Sequence, residues 1–278
     1  MYKTILVHVD QTAHSVQRID IAARLALQNE AHLIGAAATG LAAYMFPVAS
    51  LNPEAPAVIF PIEELRAQAQ RSLDQFDRLA DLAGVHSFER SCLDEEAGTA
   101  IAMQGRYCDL IVISQTPPDE YLPRLRSDFP EYVVLNCTRP VLVLPHTGGK
   151  GEIGKRVLIA WNGSDNAVRA VTSAIPMLRL AAEVNVVVFN AGSDGDRHGE
   201  LPGADIASYL ARHGVPVTVT AVDTSTDSGD AILSFAAEKE ADLIVMGAYG
   251  HSRFSEIMLG SASRTALRSS PIALWMAH

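Results

Sequence analysis

Four residues near the C-terminal end carry a spacing that can do chemistry: Gly247, Gly250, Gly260 and Ser261. They form a G-x2-G-x9-G-S pattern directly after the apolar run Leu243-Ile244-Val245-Met246. Glycines at the carboxyl end of a strand let the backbone turn and bring bare N–H groups against an anion. Gly260 and Ser261 would then open a helix whose first N–H groups, hydroxyl and positive dipole end favour a phosphate. Either the Gly247–Gly250 pair or Gly260 alone would mark no more than a turn. All four in this spacing point to a phosphate cradle.

A cradle of this kind needs a strand ending beneath it and a second strand end facing it, and the chain supplies both by repeating itself. Lys3-Thr4-Ile5-Leu6-Val7-His8-Val9-Asp10 recurs as Lys155-Arg156-Val157-Leu158-Ile159-Ala160-Trp161-Asn162. Asp109-Leu110-Ile111-Val112-Ile113 recurs as Asp242-Leu243-Ile244-Val245-Met246, and Pro140 to Leu144 is echoed by Pro271 to Trp275. The echoes keep their order, and the glycine-rich stretch between His146 and Lys155 suits a connector. Domains are therefore expected over 1–146 and 155–278.

In the second half, strands are expected near 155–161, 184–190, 215–222, 242–247 and 271–276, with helices near 165–182, 203–213, 228–240 and 260–269. In the first half, strands are expected near 3–9, 31–37, 86–92, 109–114 and 140–145, with a long helix over 62–83. Short apolar runs alternating with amphipathic segments predict α/β domains, each a doubly wound, five-stranded parallel sheet of Rossmann-like form. Ligands of such sheets bind outside the carboxyl ends of the strands where the winding reverses, here between the first and fourth strands. There Asn162 and Ser164 suit a ribose hydroxyl or a phosphate; the other reading has Ser164 or Asp165 capping the next helix.

These residues together resemble a tandem universal stress protein, two domains of that family joined head to tail over nearly the whole chain. Gly247, Gly250, Gly260 and Ser261 match the family's ATP signature. The resemblance implies an ATP-binding, homodimer-forming fold. It places Ala160, Trp161 and Asn162 beside the nucleotide, Val188 and Met246 near adenine, Ala248 on the glycine loop, and Ala262 and Ser263 near the phosphates. His251 and Arg253 lie on the same loop, either against phosphate or in solvent. The family usually has Asp where this chain has Asn162, so use of Mg2+ stays open. Single-domain members pair through their fifth strands, which implies that the two halves here pack as an intramolecular pseudo-dimer.

The first half lacks the signature. Ser114-Gln115-Thr116-Pro117 stands in place of Gly247 to Gly250, and Phe129-Pro130 in place of Gly260-Ser261. Proline has no N–H to offer, and the Cβ of Ser114 hinders the approach that glycine permits. Asp10 is then expected to cap a helix, and His8 to be a satisfied core residue. A structural or regulatory half follows.

Composition sets the outer limits. With 48% apolar and 19% charged residues the 278-residue chain should fold, and a formal charge of -10 repels nucleic acid and anionic lipid. Three unpatterned cysteines and a charged N-terminus point to a reduced, cytoplasmic setting. Ala31 to Pro53 carries no charged residue, yet Gly35, Gly40 and Pro47 interrupt it, so a buried strand and loop are expected instead of a membrane span. No zinc-protease, P-loop or nucleophile-elbow motif occurs. The leading expectation is an ATP-binding protein with a stress-response or regulatory role, an unknown protein partner and at most slow hydrolysis. A nucleotide-independent interaction module and an enzyme acting on adenylates or another small molecule are the alternatives.

Overall fold

The computed structural model describes residues 1–41, 62–117, 128–148, 152–193, 201–249 and 261–278. By its contacts the chain divides into two units, Met1–Arg139 and Pro140–His278.

The first unit runs β1 (Thr4–His8), α1 (Ser15–Asn29), β2 (His32–Ala38), α2 (Ile62–Ala83), β3 (Phe88–Leu93), α3 (Ala97–Gln104), β4 (Leu110–Ser114) and α4 (Phe129–Asn136). Its strands lie parallel in the order β3-β2-β1-β4, with Leu6 paired to Ile34 on one side and Ile111 on the other. Ile5, Leu6, Val7 and the Leu110–Ile113 run are fully buried, as strands covered on both faces require. Helix α2 buries Leu65, Ala69, Leu73, Phe76 and Ala80, a stripe at helical spacing, and carries Glu63 and Glu64 in its first turn, where the dipole favours them. Phe76 packs so closely on β2 that a Cβ at Gly35 would lie 2.5 Å from its ring.

The second unit runs β5 (Val141–Leu144), β6 (Arg156–Ala160), α5 (Asp165–Leu178), β7 (Glu183–Phe189), α6 (Ala204–Arg212), β8 (Val217–Val222), α7 (Ser228–Glu238), β9 (Leu243–Gly247), α8 (Ser261–Ser269) and β10 (Ala273–Ala277). Its strand order is β5-β10-β9-β6-β7-β8. Every neighbouring pair is parallel except β5 with β10, which run antiparallel with Val143 opposite Leu274 and Leu142 opposite Trp275. This pairing of the two fifth strands is why β5 falls with the second unit. Trp275 is fully buried, its indole N–H donating to Ser173 Oγ on α5 at 3.0 Å.

The aspartate before each fourth strand has a physical role. Asp109 Oδ2 accepts from Lys3 N at 2.6 Å and Thr4 N at 3.0 Å. Asp242 likewise accepts from Gly154 N at 2.7 Å, from Lys155 N and from Arg156 N at 2.9 Å. Each carboxylate satisfies backbone donors where the first strand of its repeat begins, which fixes the register of first and fourth strands. Among the described residues no helix is long and apolar enough to cross a membrane. In the charge-free stretch, His32–Ala38 forms β2 and residues 42–53 lie outside the described residues.

A fragment starting at residue 155 lacks β5 and bares the β10 edge, so it should self-associate. Light scattering of that fragment decides this; a monomeric 155–278 fragment would remove β5 as the cover of β10.

Candidate functional site

Strands β6 and β9 are neighbours, and their carboxyl ends form the point in the second unit where the winding changes direction. Ala160 closes β6 and is half-buried, as are Trp161 and Asn162 after it. Trp161 N donates to Val187 O at 2.9 Å, which extends the strand pairing one residue beyond β6. Asn162 Oδ1 accepts from Ser164 N at 3.2 Å and from the Ser164 hydroxyl at 2.7 Å. Ser164 is the N-cap of α5, its Oγ accepting from Ala167 N at 3.2 Å. The capping reading of Ser164 therefore holds, and its hydroxyl is already committed. Asn162 makes no hydrogen bond through Nδ2 among the described residues, so its amide is left to donate.

Gly247 closes β9, and its lack of a side chain is used at once. A Cβ there would lie 2.5 Å from Ala167 N and 2.7 Å from the carbonyl carbon of Asn166, both backbone atoms of α5. The glycine lets a helix terminus close on a strand terminus. Beyond it Ala248 is fully buried and Tyr249 adopts a left-handed φ of 56°. Ser263, on α8, is 4% exposed and accepts from Tyr249 N through Oγ at 3.1 Å. Ser261 is exposed at the start of α8 and Ala262 is half-buried. Met246 is buried, and Val188 is fully buried beneath Gly203, whose Cβ would stand 3.3 Å from its Cγ2. Ala160, Trp161, Asn162 and Gly247 thus share one strand-end region, and Ser263 is tied to it through Tyr249. Val188 faces protein. Gly250, His251, Arg253 and Gly260 lie outside the described residues.

The corresponding strand ends of the first unit are built differently. Asp10 repeats the turn of Asn162, accepting from Thr12 N at 3.0 Å and Thr12 Oγ1 at 2.6 Å. It does not cap α1, whose N-cap is His14 without a side-chain bond. Instead Asp10 Oδ1 lies 3.0 Å from Nη2 of Arg18, a residue 2% exposed that also donates to the His8 carbonyl and to Ser114 Oγ. The Asp10 contact is an ion pair at an angle that leaves Nη2 without a hydrogen bond. Repeat alignment puts Arg18 at the place of Ala170, so a guanidinium stands here where the second unit has a methyl group. The crevice among His8, Asp10, Arg18, Ser114 and Phe129 amounts to about 10 Å³, room for about one water.

His8 is buried as expected, but its Nδ1 is not hydrogen-bonded and sits 3.6 Å from Asp10 Oδ2. Burial, with the Arg18 charge adding to it, outweighs the pull of Asp10 and brings the His8 pKa down to about 4. Burial also pushes the Asp10 carboxyl up, yet Arg18, His8 and the Thr12 donors more than offset this and hold it well below the usual range. The unfolded chain takes up a proton at His8 near pH 6.5, while the folded chain refuses it until about pH 4. Stability is therefore lost as pH falls through that window, by on the order of 1 to 3 kcal/mol between pH 7 and pH 4.5. Asp10 adds its own loss at more acid pH. Urea unfolding of the His8→Phe variant should show this part of the pH dependence gone, and an unchanged slope would refute it.

The sequence reading missed Arg18, Asn166 and Arg169. Arg18 was detectable as the one large departure where the repeat has Ala170. Asn166 and Arg169 gave no signal, because the contacts of Asn166 lie some 80 residues away.

Parallel strands joined by helices, with a glycine signature at the carboxyl end of β9 beside β6, define a Rossmann-like α/β protein. Residues 154–278 match the model of the universal stress protein family, and this half of the chain is a domain of that family. Over the whole chain the structure is similar to a universal stress protein from Archaeoglobus fulgidus DSM 4304, with a TM-score of 0.74 at 19% identity, covering 99% of this chain and 95% of that one. It is also similar to a Pseudomonas aeruginosa PAO1 protein of unknown function, with a TM-score of 0.61 at 16% identity, covering 99% and 92%. These full-length likenesses fit a tandem arrangement of the fold. Comparison with the curated proteins gives no match.

Proposed function

We propose that the second unit binds an adenine nucleotide, ATP, and that the protein serves a stress-response or regulatory role in the cytoplasm, with the first unit offering surface to a protein partner. The observation that carries this reading is the G-x2-G-x9-G-S signature inside the family domain, starting at Gly247 where β9 ends beside β6. Partly exposed Ala160, Trp161 and Asn162 lie at the adjoining strand end, and the uncommitted amide of Asn162 suits a ribose hydroxyl as a donor. An amide is a poor ligand for Mg2+, so a cation would enter with the phosphates and be held by them. Val188 and Met246, both buried, stand on the adenine side.

The chain's own groups position phosphate. The loop offers donors for positioning, and only Glu256 and His251 are near enough in sequence to orient a water. Phosphate release should therefore be slower than about 1 per second. Mass spectrometry of the native protein tests the binding itself: co-purifying ATP supports it, an empty protein favours an interaction module, and an unrelated small molecule favours an enzyme. Release of phosphate at ordinary enzyme rates would overturn the regulatory assignment.

A further inference from the structure

The two units finish their sheets with outermost strands of different character. In the first unit that strand is β3, where Glu89 and Arg90 put charge along the edge. Arg90 pairs with Asp74 and Asp77 on α2, and Glu89 lies 3.8 Å from His32. Charge of this kind resists the addition of a further strand. In the second unit the strand is β8, Val217-Thr218-Val219-Thr220-Ala221-Val222, without a charge or a proline. Its inner side is used by β7: Val184 N donates to Pro216 O at 3.0 Å and Asn190 N to Val222 O at 2.9 Å. Backbone groups alternate along a strand, so those of Val217, Val219 and Ala221 face outward, and among the described residues no strand takes them up. The two ends of β8 also differ in sign, since exposed Arg212 and His213 precede it and exposed Asp223 and Asp227 follow it.

We propose that β8 is the docking edge for a second copy of this chain, the two β8 strands pairing antiparallel about a twofold axis with Thr220 opposite its own counterpart. The flanking charge selects a copy of the same strand in that direction. Antiparallel pairing sets the basic start of one β8 against the acidic end of the other, twice over, whereas parallel pairing would bring like charges together. With the axis at Thr220, Val219 meets Ala221 of the second copy, and their outward backbone groups exchange hydrogen bonds. Opposed residues then share a face, so each sheet continues into the other without a slip of register. The contact is small, and the dimer it makes is weak and reversible.

Sedimentation of the full chain tests this, with half of the chains expected to pair at about 10 to 100 µM. Ala221 is exposed, so Ala221→Lys should leave the fold intact while weakening the pairing at least about tenfold, as a lysine on an edge does. A Cys92→Ser chain, which lacks the exposed native thiol, serves for cross-linking with oxidised glutathione. In it Thr220→Cys should give a disulfide-linked dimer, because opposed Cα atoms at such a position lie about 4.5 Å apart, within disulfide reach. Thr218→Cys, set opposite Val222 of the second copy, should not. A chain still monomeric at about 1 mM, a dimer that Ala221→Lys leaves unchanged, or cross-linking at residue 218 in preference to 220 would overturn the proposal.

Discussion

Titration of the full chain with ATP should saturate at one nucleotide per chain, and Gly250→Val should abolish that binding. The contrast between the two repeats carries the expectation. Where the second unit has Gly247, the first has Ser114, whose hydroxyl is occupied by Arg18 Nη1 at 3.0 Å. Where the second has Gly260 and Ser261, the first has Phe129 and Pro130 at the start of α4, one of them without an N–H. An N–H bond to a charged phosphate is worth about 1.5 to 3 kcal/mol, so losing two or three weakens binding by several powers of ten. A crevice with room for about one water cannot make up the difference. Gly250 is the position to change, because a Cβ at Gly247 meets the backbone of α5 at 2.5 Å and would confuse lost binding with lost folding. Calorimetry should show affinity reduced at least about a hundredfold at a nearly unchanged melting temperature. A stoichiometry near two, or undiminished affinity, would show that the site is assigned to the wrong residues.

Arg18→Ala should destabilise the protein by about 3 to 5 kcal/mol, as removal of one partner from a buried ion pair does. The guanidinium is 2% exposed, donates to Ser114 and to the His8 carbonyl, and is ion-paired with Asp10. Its loss leaves the Asp10 carboxylate without its cation and opens a cavity between α1 and β4. Removing both charges, as Asp10→Asn with Arg18→Met, should recover much of the loss, because a filled apolar site avoids the unpaired charge. Urea denaturation measures both variants. A single-variant loss below about 1 kcal/mol would mean that the cluster contributes little to the fold.

Much of this architecture was legible in the sequence. The central strands announced themselves because they are apolar runs buried on both faces, and Leu110–Ile113 is as clear a case as Leu243–Met246, whereas β3 and β8 are only partly buried. Helix α2 was legible for the opposite reason, since its apolar stripe alternates with charge along 22 residues. Helices α3 and α4 gave no comparable signal: both have eight residues and are apolar on most faces. Helix α1 hides a polar residue in its buried face, Arg18, which reads as solvent-exposed until Asp10 and Ser114 are placed around it. At the candidate site, spacing located the strand end correctly. It did not reveal that Gly247 also admits a helix terminus, with the backbone of α5 where a Cβ would stand. Nor could it pair Asn166 with Ala248, because that bond joins residues 82 positions apart.

The pairing of β5 with β10 also has a consequence on the ribosome. Val141–Leu144 emerges early, yet its antiparallel partner, centred on Trp275, is made roughly 130 residues later. At about 5 to 20 residues per second that is a wait of roughly 7 to 26 seconds. Throughout it, four residues destined for full burial lack the strand that they are built to meet. Translation speed across the second repeat therefore sets how long each nascent chain carries this segment in search of any apolar edge, including that of a neighbouring chain on the same message.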